Sequence, residues 1–285
     1  MGVIIIQIRR PLLIILMFVV AISFIITNNT KNDEELNDKI ITIQGVVKGK
    51  IEKKRYNQYK VGVFLINDYT KNKNLKIGQK VNITGKFKSL DKMKYDDFDY
   101  GRYIKSTGYK GIVYINNYKI IDKNKLYSLI GEIKFYISKT YRYLYKKNSD
   151  FINSILLAEV ENLTEEQKEI FTRTGTSHVI SISGLHTGIL CVIISFLLRG
   201  INKLYKLLIL SIFITLYCIM VGASPSIIRS IAFVMIFYLS IFIDRKKDGI
   251  SALSLIGIIL IMNNPYVIYN VSFQLSFLAT LSILI

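Results

Sequence analysis

Residues 11–27, PLLIILMFVVAISFIIT, run for 17 positions without a charge. As a helix rising 1.5 Å per residue they cover about 25 Å, enough to cross a bilayer core with help from the flanks. Arg9 and Arg10 stand immediately before the run. Positive residues stay on the cytoplasmic side, so the N-terminus is expected inside and the following segment outside. The next residues, NNTKND, contain no small-x-small cleavage pattern, and the arginine pair lacks the context of a twin-arginine signal. An uncleaved anchor is therefore favoured over a signal peptide.

Composition agrees. Of 285 residues, 51% are hydrophobic, and the mean hydropathy is +0.35, well above what a soluble domain needs to fill its core. The net charge is +18, and residues 28–175 hold 29 Lys or Arg against 18 Asp or Glu, a net +11. Such a block attracts the phosphates of nucleic acid or of lipid headgroups by displacing their counterions. Lys, Asn, Ile and Tyr are abundant along the whole chain, so charge alone does not choose between a specific role and compositional bias. Cys191 and Cys218 lie in apolar runs without CxxC spacing and read as small core hydrophobes.

From residue 40 the pattern shortens to a period of two. IITIQGVVKG, YKVGVFLIND and KVNITGKF each alternate apolar and polar residues, punctuated by Gly45, Gly62, Gly78 and Gly85, and GYKGIVYI (108–115) offers one more strand. Several short strands in under 90 residues predict a small barrel or sandwich. After residue 125, Leu126, Leu129, Ile130, Ile133, Ile137, Tyr141 and Leu144 follow helical spacing, with Lys134, Lys139, Arg142, Lys146 and Lys147 between them. That stripe fits a helix on a membrane surface, or one packed against the barrel. TEEQKEIFTRTG (164–175) opens with a capping-box pattern, Thr164 with Gln167, and closes on Gly175.

The remainder reads as polytopic. Apolar runs lie at 178–198, 207–223, 226–243, 250–262 and 267–285. With the basic block outside, Arg199, Lys203 and Lys206 fall on the cytoplasmic side, as do Arg245, Lys246 and Lys247 two crossings later. The run 250–262 spans only about 20 Å, so it must borrow flanking residues or be shielded by neighbouring protein. Ile285 ends the sequence inside an apolar run, which suggests a shortened chain.

Three polar patches interrupt these runs. SHVISISGLHTGIL (177–190) holds both histidines, His178 and His186, with Ser177, Ser181, Ser183, Gly184 and Thr187. Polar groups at membrane depth are costly unless they face protein or a water-filled cavity. On one helix the two histidines would stand about 12 Å apart along the axis, and no carboxylate accompanies them, so no metal is assigned. VGASPSIIRSIAFVM (221–235) places Arg229 inside an apolar run, and SFQLSFLAT (272–280) adds Ser272, Gln274 and Ser276. Three such patches point to a hydrophilic path or a broken-helix site. Ser183 and His186 also leave open an intramembrane serine hydrolase, although no second histidine is placed to serve as base.

Taken in order, GTSHVISISGLHTGIL, VGASPSIIRSIAFVM, DRKKD and NPYVIYNVSFQLSFLAT resemble the bacterial competence channel family typified by ComEC. RRPLLIIL, KIGQKVNITGKF and FDYGRYIKSTGYKGIV extend the resemblance over essentially the whole chain. The resemblance implies an α-helical polytopic membrane protein with an extracytoplasmic OB-like barrel, passing single-stranded DNA into the cytoplasm during natural transformation. It implies four parts: an anchor (1–27), the basic barrel (28–125), amphipathic and short helices at the membrane surface (126–176), and a shortened competence-type region (177–285). Many members continue into a metallo-β-lactamase-like nuclease, but no HxHxDH-type cluster stands in this sequence.

On this basis Ser183, Gly184, His186, Arg229 and Gln274 are expected to line the conduit. Lys48, Lys50, Lys53, Lys54, Arg55, Tyr56, Tyr59 and Lys60 are expected to meet DNA, phosphate attraction alternating with base stacking. A solvated hairpin tip accounts for the same residues. No enzymatic activity, cofactor or metal is expected. The expected partners are single-stranded DNA, the bilayer of the bacterial cell membrane, and other competence proteins or a missing C-terminal half, with homo-oligomerisation left open. An inactive remnant with a polyanion-binding barrel is the third alternative.

Overall fold

The computed structural model describes residues 10–30, 36–53, 55–70, 74–91, 93–95, 98–176, 184–222, 227–228, 231–232, 235–236 and 248–285. Its organisation is a β-barrel joined to a set of helices. Strands β1 (Ile40–Glu52), β2 (Asn57–Val61), β3 (Phe64–Asp68), β4 (Gln79–Lys88) and β7 (Gly111–Lys123) close in the order β1-β2-β3-β7-β4, with β1 returning to β4. The pair β3–β7 is parallel and the others antiparallel. A two-stranded ribbon, β5 (Lys94–Tyr95) and β6 (Phe98–Asp99), lies outside the barrel sheet.

The alternation read from the sequence fills this barrel. In β4, Val81, Ile83 and Phe87 point inward while Lys80 and Lys86 stay exposed. They meet Ile43, Val47, Tyr59, Val61, Ile66, Leu75, Val113 and Ile115 in one core. YKVGVFLIND, read as one strand, is two. Gly62 turns the chain with φ +57°, so β2 and β3 form a hairpin. Closure also requires close approach at Gly111, where any side chain would run into the ring of Phe87.

Helix α1 (Pro11–Asn29) covers the apolar run 11–27, and α2 (Tyr100–Ser106) sits between the ribbon and β7. Helix α3 (Lys125–Tyr145) follows the barrel directly, its first turn capped by Asn124, whose side chain accepts from the N–H of Tyr127. At the junction Gly78 has φ +90°, donates its N–H to Val47 O and accepts from Asn124 N–H, with the backbone of Ser128 against its α-carbon. Then come α4 (Ser149–Leu157) and α5 (Glu165–Arg173), the latter with the full capping box of Thr164 and Gln167.

The apolar part contains α6 (Gly184–Leu197), α7 (Lys203–Val221), α8 (Gly249–Asn263) and α9 (Val271–Leu284). By length and composition α1 and α7 are able to cross a membrane; α8 and α9 are shorter apolar helices. Helices α1 and α8 run side by side, with Leu16 buried among Ile256, Leu260, Ile261, Val267 and Phe273. The rest of α1 presents Met17, Phe18, Ile22, Phe24 and Ile25 outward. An apolar helix so exposed is stable against lipid or a partner and not against water.

Candidate nucleic-acid interface

The hairpin β1–β2 carries the basic and aromatic residues picked out in the sequence. At its tip Lys53 Nζ donates to the Tyr56 hydroxyl at 3.1 Å and lies 5.1 Å from the ring centroid, and Arg55 is exposed. Tyr56 is followed by Tyr69 at 4.8 Å and Tyr114 at 5.8 Å between centroids, three tilted rings in a row. Tyr69, 54% exposed, and Tyr114 were missed by sequence reasoning, because their alignment with Tyr56 depends on how β2, β3 and β7 pair. A row of phenol rings beside ammonium groups is able to stack bases while holding backbone phosphate.

Tyr59 corrects the expectation. It is fully buried in the barrel core, because in β2 it shares the inward face with Val61. It is therefore removed from the contact surface. Lys54 lies outside the described residues.

The neighbouring residues face elsewhere. Lys48 Nζ stands 6.0 Å from the Tyr127 ring on α3, and Lys50 pairs with Glu52 at 2.6 Å. Lys60 looks into a cleft of about 580 Å³ between β1–β2 and α3. Lys134 and Lys139 of α3 share this cleft, which reaches Met220, Val221 and Gly222 at the end of α7. Burial pushes the Lys60 ammonium below its ordinary pKa, and burial with repulsion from Lys60 does the same at Lys134. Arg142 is held by Glu159 at 3.8 Å, and Glu159 also accepts from Ser138 and Asn162.

A second group, unforeseen from the sequence, joins α2 to the helices. Asn264 Nδ2 donates to Lys105 O at 2.8 Å, and Asn270 Nδ2 to Ser106 Oγ at 3.1 Å. Ser23 Oγ of α1 donates to Pro265 O at 2.7 Å, and the hydroxyls of Thr27 and Tyr269 meet at 3.0 Å. Arg102 lies over the Tyr269 ring at 4.9 Å, and Lys105 over the Tyr266 ring at 5.1 Å. The opposite ends of α1 and α8 also meet, Arg10 to Asp248 at 3.9 Å.

The conduit candidates are partly described. Gly184 opens α6, and half-buried His186 and buried Thr187 follow in its first turn. Gln274 lies exposed in the first turn of α9, where Nε2 donates to Ile268 O at 2.6 Å and closes the 3-10 turn Pro265–Tyr269. Ser183 and Arg229 lie outside the described residues. Among the described residues no cluster of three His, Cys, Asp or Glu is placed to hold a metal, and Cys191 and Cys218 are free thiols.

The structure joins a basic barrel to one end of a set of apolar helices, two of which are long and apolar enough to cross a membrane. Comparison with known proteins makes this specific. Residues 155–285 match the family described as Competence protein. ComE operon protein 3 of Bacillus subtilis (strain 168) is 26% identical over 165 residues, 57% of this chain and 21% of that protein. An uncharacterized protein of Aquifex aeolicus (strain VF5) is 30% identical over 125 residues, 44% of this chain and 30% of that one. Residues 155–285 are thus similar to the Competence protein family, and the chain is matched over less than a third of the length of either relative. A solved aspartyl tRNA synthetase from Entamoeba histolytica aligns over 66% of this chain and 44% of its own at 11% identity, with a TM-score of 0.24, too low to bear on the fold.

Proposed function

We propose that this chain takes part in moving single-stranded DNA across the bacterial cell membrane during transformation, with an OB-type barrel outside and the competence region forming part of the conduit. The five-stranded closed barrel, with basic groups and stacked tyrosines on one side, suits an OB-type oligonucleotide surface. The observation that carries the reading is the polarity of α1 and α8. Their starts, Arg10 and Asp248, adjoin the basic stretches RR and DRKKD, while their ends are bound to α2 at the barrel, Asn28 accepting from Arg102 and Asn264 donating to Lys105 O. Positive stretches stay in the cytoplasm, so the barrel lies outside with the N-terminus inside.

In this arrangement the chain acts by binding and guiding and performs no bond chemistry. Its partners are the strand itself, the bilayer and other competence proteins. Helices and short turns between 126 and 176 rest at the outer membrane surface, where the exposed Leu126, Leu129, Ile133 and Leu144 of α3 meet lipid. Ser183, His186 and Arg229 line the path, with Arg229 engaging phosphate or a buried polar partner.

Arg229→Leu in the natural host tests the conduit. Conversion of labelled donor DNA into nuclease-protected single strand should fall at least tenfold, with the protein still present in the membrane. Unchanged uptake would remove Arg229 from the path. Orientation is tested separately by Lys119→Cys in a Cys191→Ser, Cys218→Ser background. An impermeant maleimide should label it in intact protoplasts; labelling only after lysis would invert the topology.

A further inference from the structure

Of the six cations of the cleft between β1–β2 and α3, three are already engaged, Lys50 by Glu52, Arg142 by Glu159 and Lys48 over the Tyr127 ring, and Lys139 is exposed. Lys60 and Lys134 are half-buried, and neither Nζ has a hydrogen-bond or ion-pair partner among the described residues. Two half-buried ammonium groups that line one cleft of about 580 Å³ and repel each other cost free energy while no anion sits between them. The carboxylate left without such a partner in the lining is Glu161, which draws on both lysines without contacting either. An anion seated between the lysines would supply the missing acceptor oxygens, and charge-assisted bonds of this kind are the strong ones.

We infer that Lys60 and Lys134 form a seat for one backbone phosphodiester of a single DNA strand, between the stacked tyrosines and the barrel-side end of α7. This rests on the DNA-uptake reading and adds to it a defined station. A nucleic-acid source is favoured because the same β1–β2 hairpin bears Tyr56 of the Tyr56–Tyr69–Tyr114 row, and those rings take bases, which lipid headgroups lack. Lys60 follows Tyr56 by four residues on the same hairpin, and the cleft it lines also reaches Met220, Val221 and Gly222, within the segment similar to the Competence family. Burial lowers the pKa of both ammonium groups in the open cleft, and a bound phosphate would oppose that shift.

The test uses the full chain in zwitterionic nanodiscs and a fluorescent single-stranded oligonucleotide read by anisotropy. Lys60→Gln with Lys134→Gln should weaken binding about tenfold or more and reduce the slope of log affinity against log salt by about 0.7 for each phosphate no longer neutralised. The charge-matched control, Lys80→Gln with Lys119→Gln, removes two exposed lysines of the barrel and should change affinity less than about threefold. Reductive methylation of unmodified protein, read by mass spectrometry, gives an answer even if the variant unfolds: the oligonucleotide should protect Lys60 and Lys134 but not Lys80 and Lys119. Equal weakening in variant and control, or no protection of the two lysines while the oligonucleotide binds, overturns the seat and leaves the uptake reading standing. Protection by anionic-lipid nanodiscs without oligonucleotide would reassign the seat to lipid headgroups. If unmodified chain binds no oligonucleotide at all, the DNA reading fails and the seat fails with it.

Discussion

Asn270→Ala separates the two bodies of the molecule at one residue. Asn270 is 5% exposed and works in both directions: Oδ1 accepts from Phe273 N–H at 3.1 Å to cap α9, and Nδ2 donates to Ser106 Oγ at 3.1 Å on α2. Loss of the cap costs about 1 kcal/mol. Ser106, 1% exposed, still donates to Tyr103 O at 2.6 Å but is deprived of the amide that donates to it, and a buried acceptor left unsatisfied costs about 1–2 kcal/mol. The sum, about 2–3 kcal/mol, corresponds to a fall in Tm of about 5–10 °C for a chain of this size. Unfolding can be followed with a thiol-reactive dye in a Cys218→Ser background, since Cys191 is 2% exposed and reacts as the helices open. Asn270→Ser keeps a capping oxygen but is too short to reach Ser106, so it should cost about half as much. Combining Ser106→Ala with Asn270→Ala should cost about 1 kcal/mol less than the sum of the singles. A Tm for Asn270→Ala within about 1 °C of the parent, or additive costs in the cycle, would refute the fastening role.

Gly78→Ala should destabilise the barrel by about 1–3 kcal/mol, because φ +90° is strained for a side-chain-bearing residue and the new carbon meets the backbone of Ser128; a urea midpoint equal to the parent's would contradict this. Tyr69→Ala removes the middle ring of an exposed row, so oligonucleotide affinity should fall about fivefold to thirtyfold with Tm nearly unchanged, measured by anisotropy and the dye assay together. Lys60 and Lys134 have folded-state pKa values below the unfolded one, so between those values the unfolded chain binds more protons and stability rises with pH. The charged groups that share their cleft are Lys48, Lys50, Glu52, Lys139, Arg142, Glu159 and Glu161. Lys60→Met with Lys134→Met should therefore flatten the rise of Tm between neutral pH and about pH 10, and an unaltered slope would show that the two lysines are not desolvated.

What the sequence disclosed and what it hid divide along the range of the interactions. Alternation in KVNITGKF and the capping box at Thr164 depend on neighbours two to four residues away, and both appear as read. The role of Tyr59 was misjudged because counting Lys and Tyr along KGKIEKKRYNQYK ignores the strand's own period, which puts Tyr59 inside and Lys60 outside. Tyr69 and Tyr114 were invisible because the rings meet only after β3 pairs with β7 across more than 40 residues. Asn264 falls between the apolar runs 250–262 and 267–285 and Asn270 inside the second, and nothing local marks either, since their partners on α2 lie 158 to 164 positions earlier.

The short apolar run 250–262 shows how those distant bonds resolve a local difficulty. Its helix, Gly249–Asn263, has 15 residues and covers about 22 Å, less than a hydrocarbon core. Left alone in lipid it would bury polar ends. Two features remove the conflict. Ile250, Leu253, Ser254, Ile256, Gly257, Leu260 and Ile261 are buried against protein, and Gly257 brings Leu16 and Phe277 to van der Waals contact with its backbone. The ends are also supplied with partners: Asp248 caps the first turn and faces Arg10, while Asn264 gives its amide to the carbonyls of Lys105 and Ser106. The helix is fixed by α1 along its side and by the barrel's own α2 at its end, so the barrel and the helical region hold each other in register through it; on the proposed membrane reading, the same polar junction is what makes so short a helix tolerable.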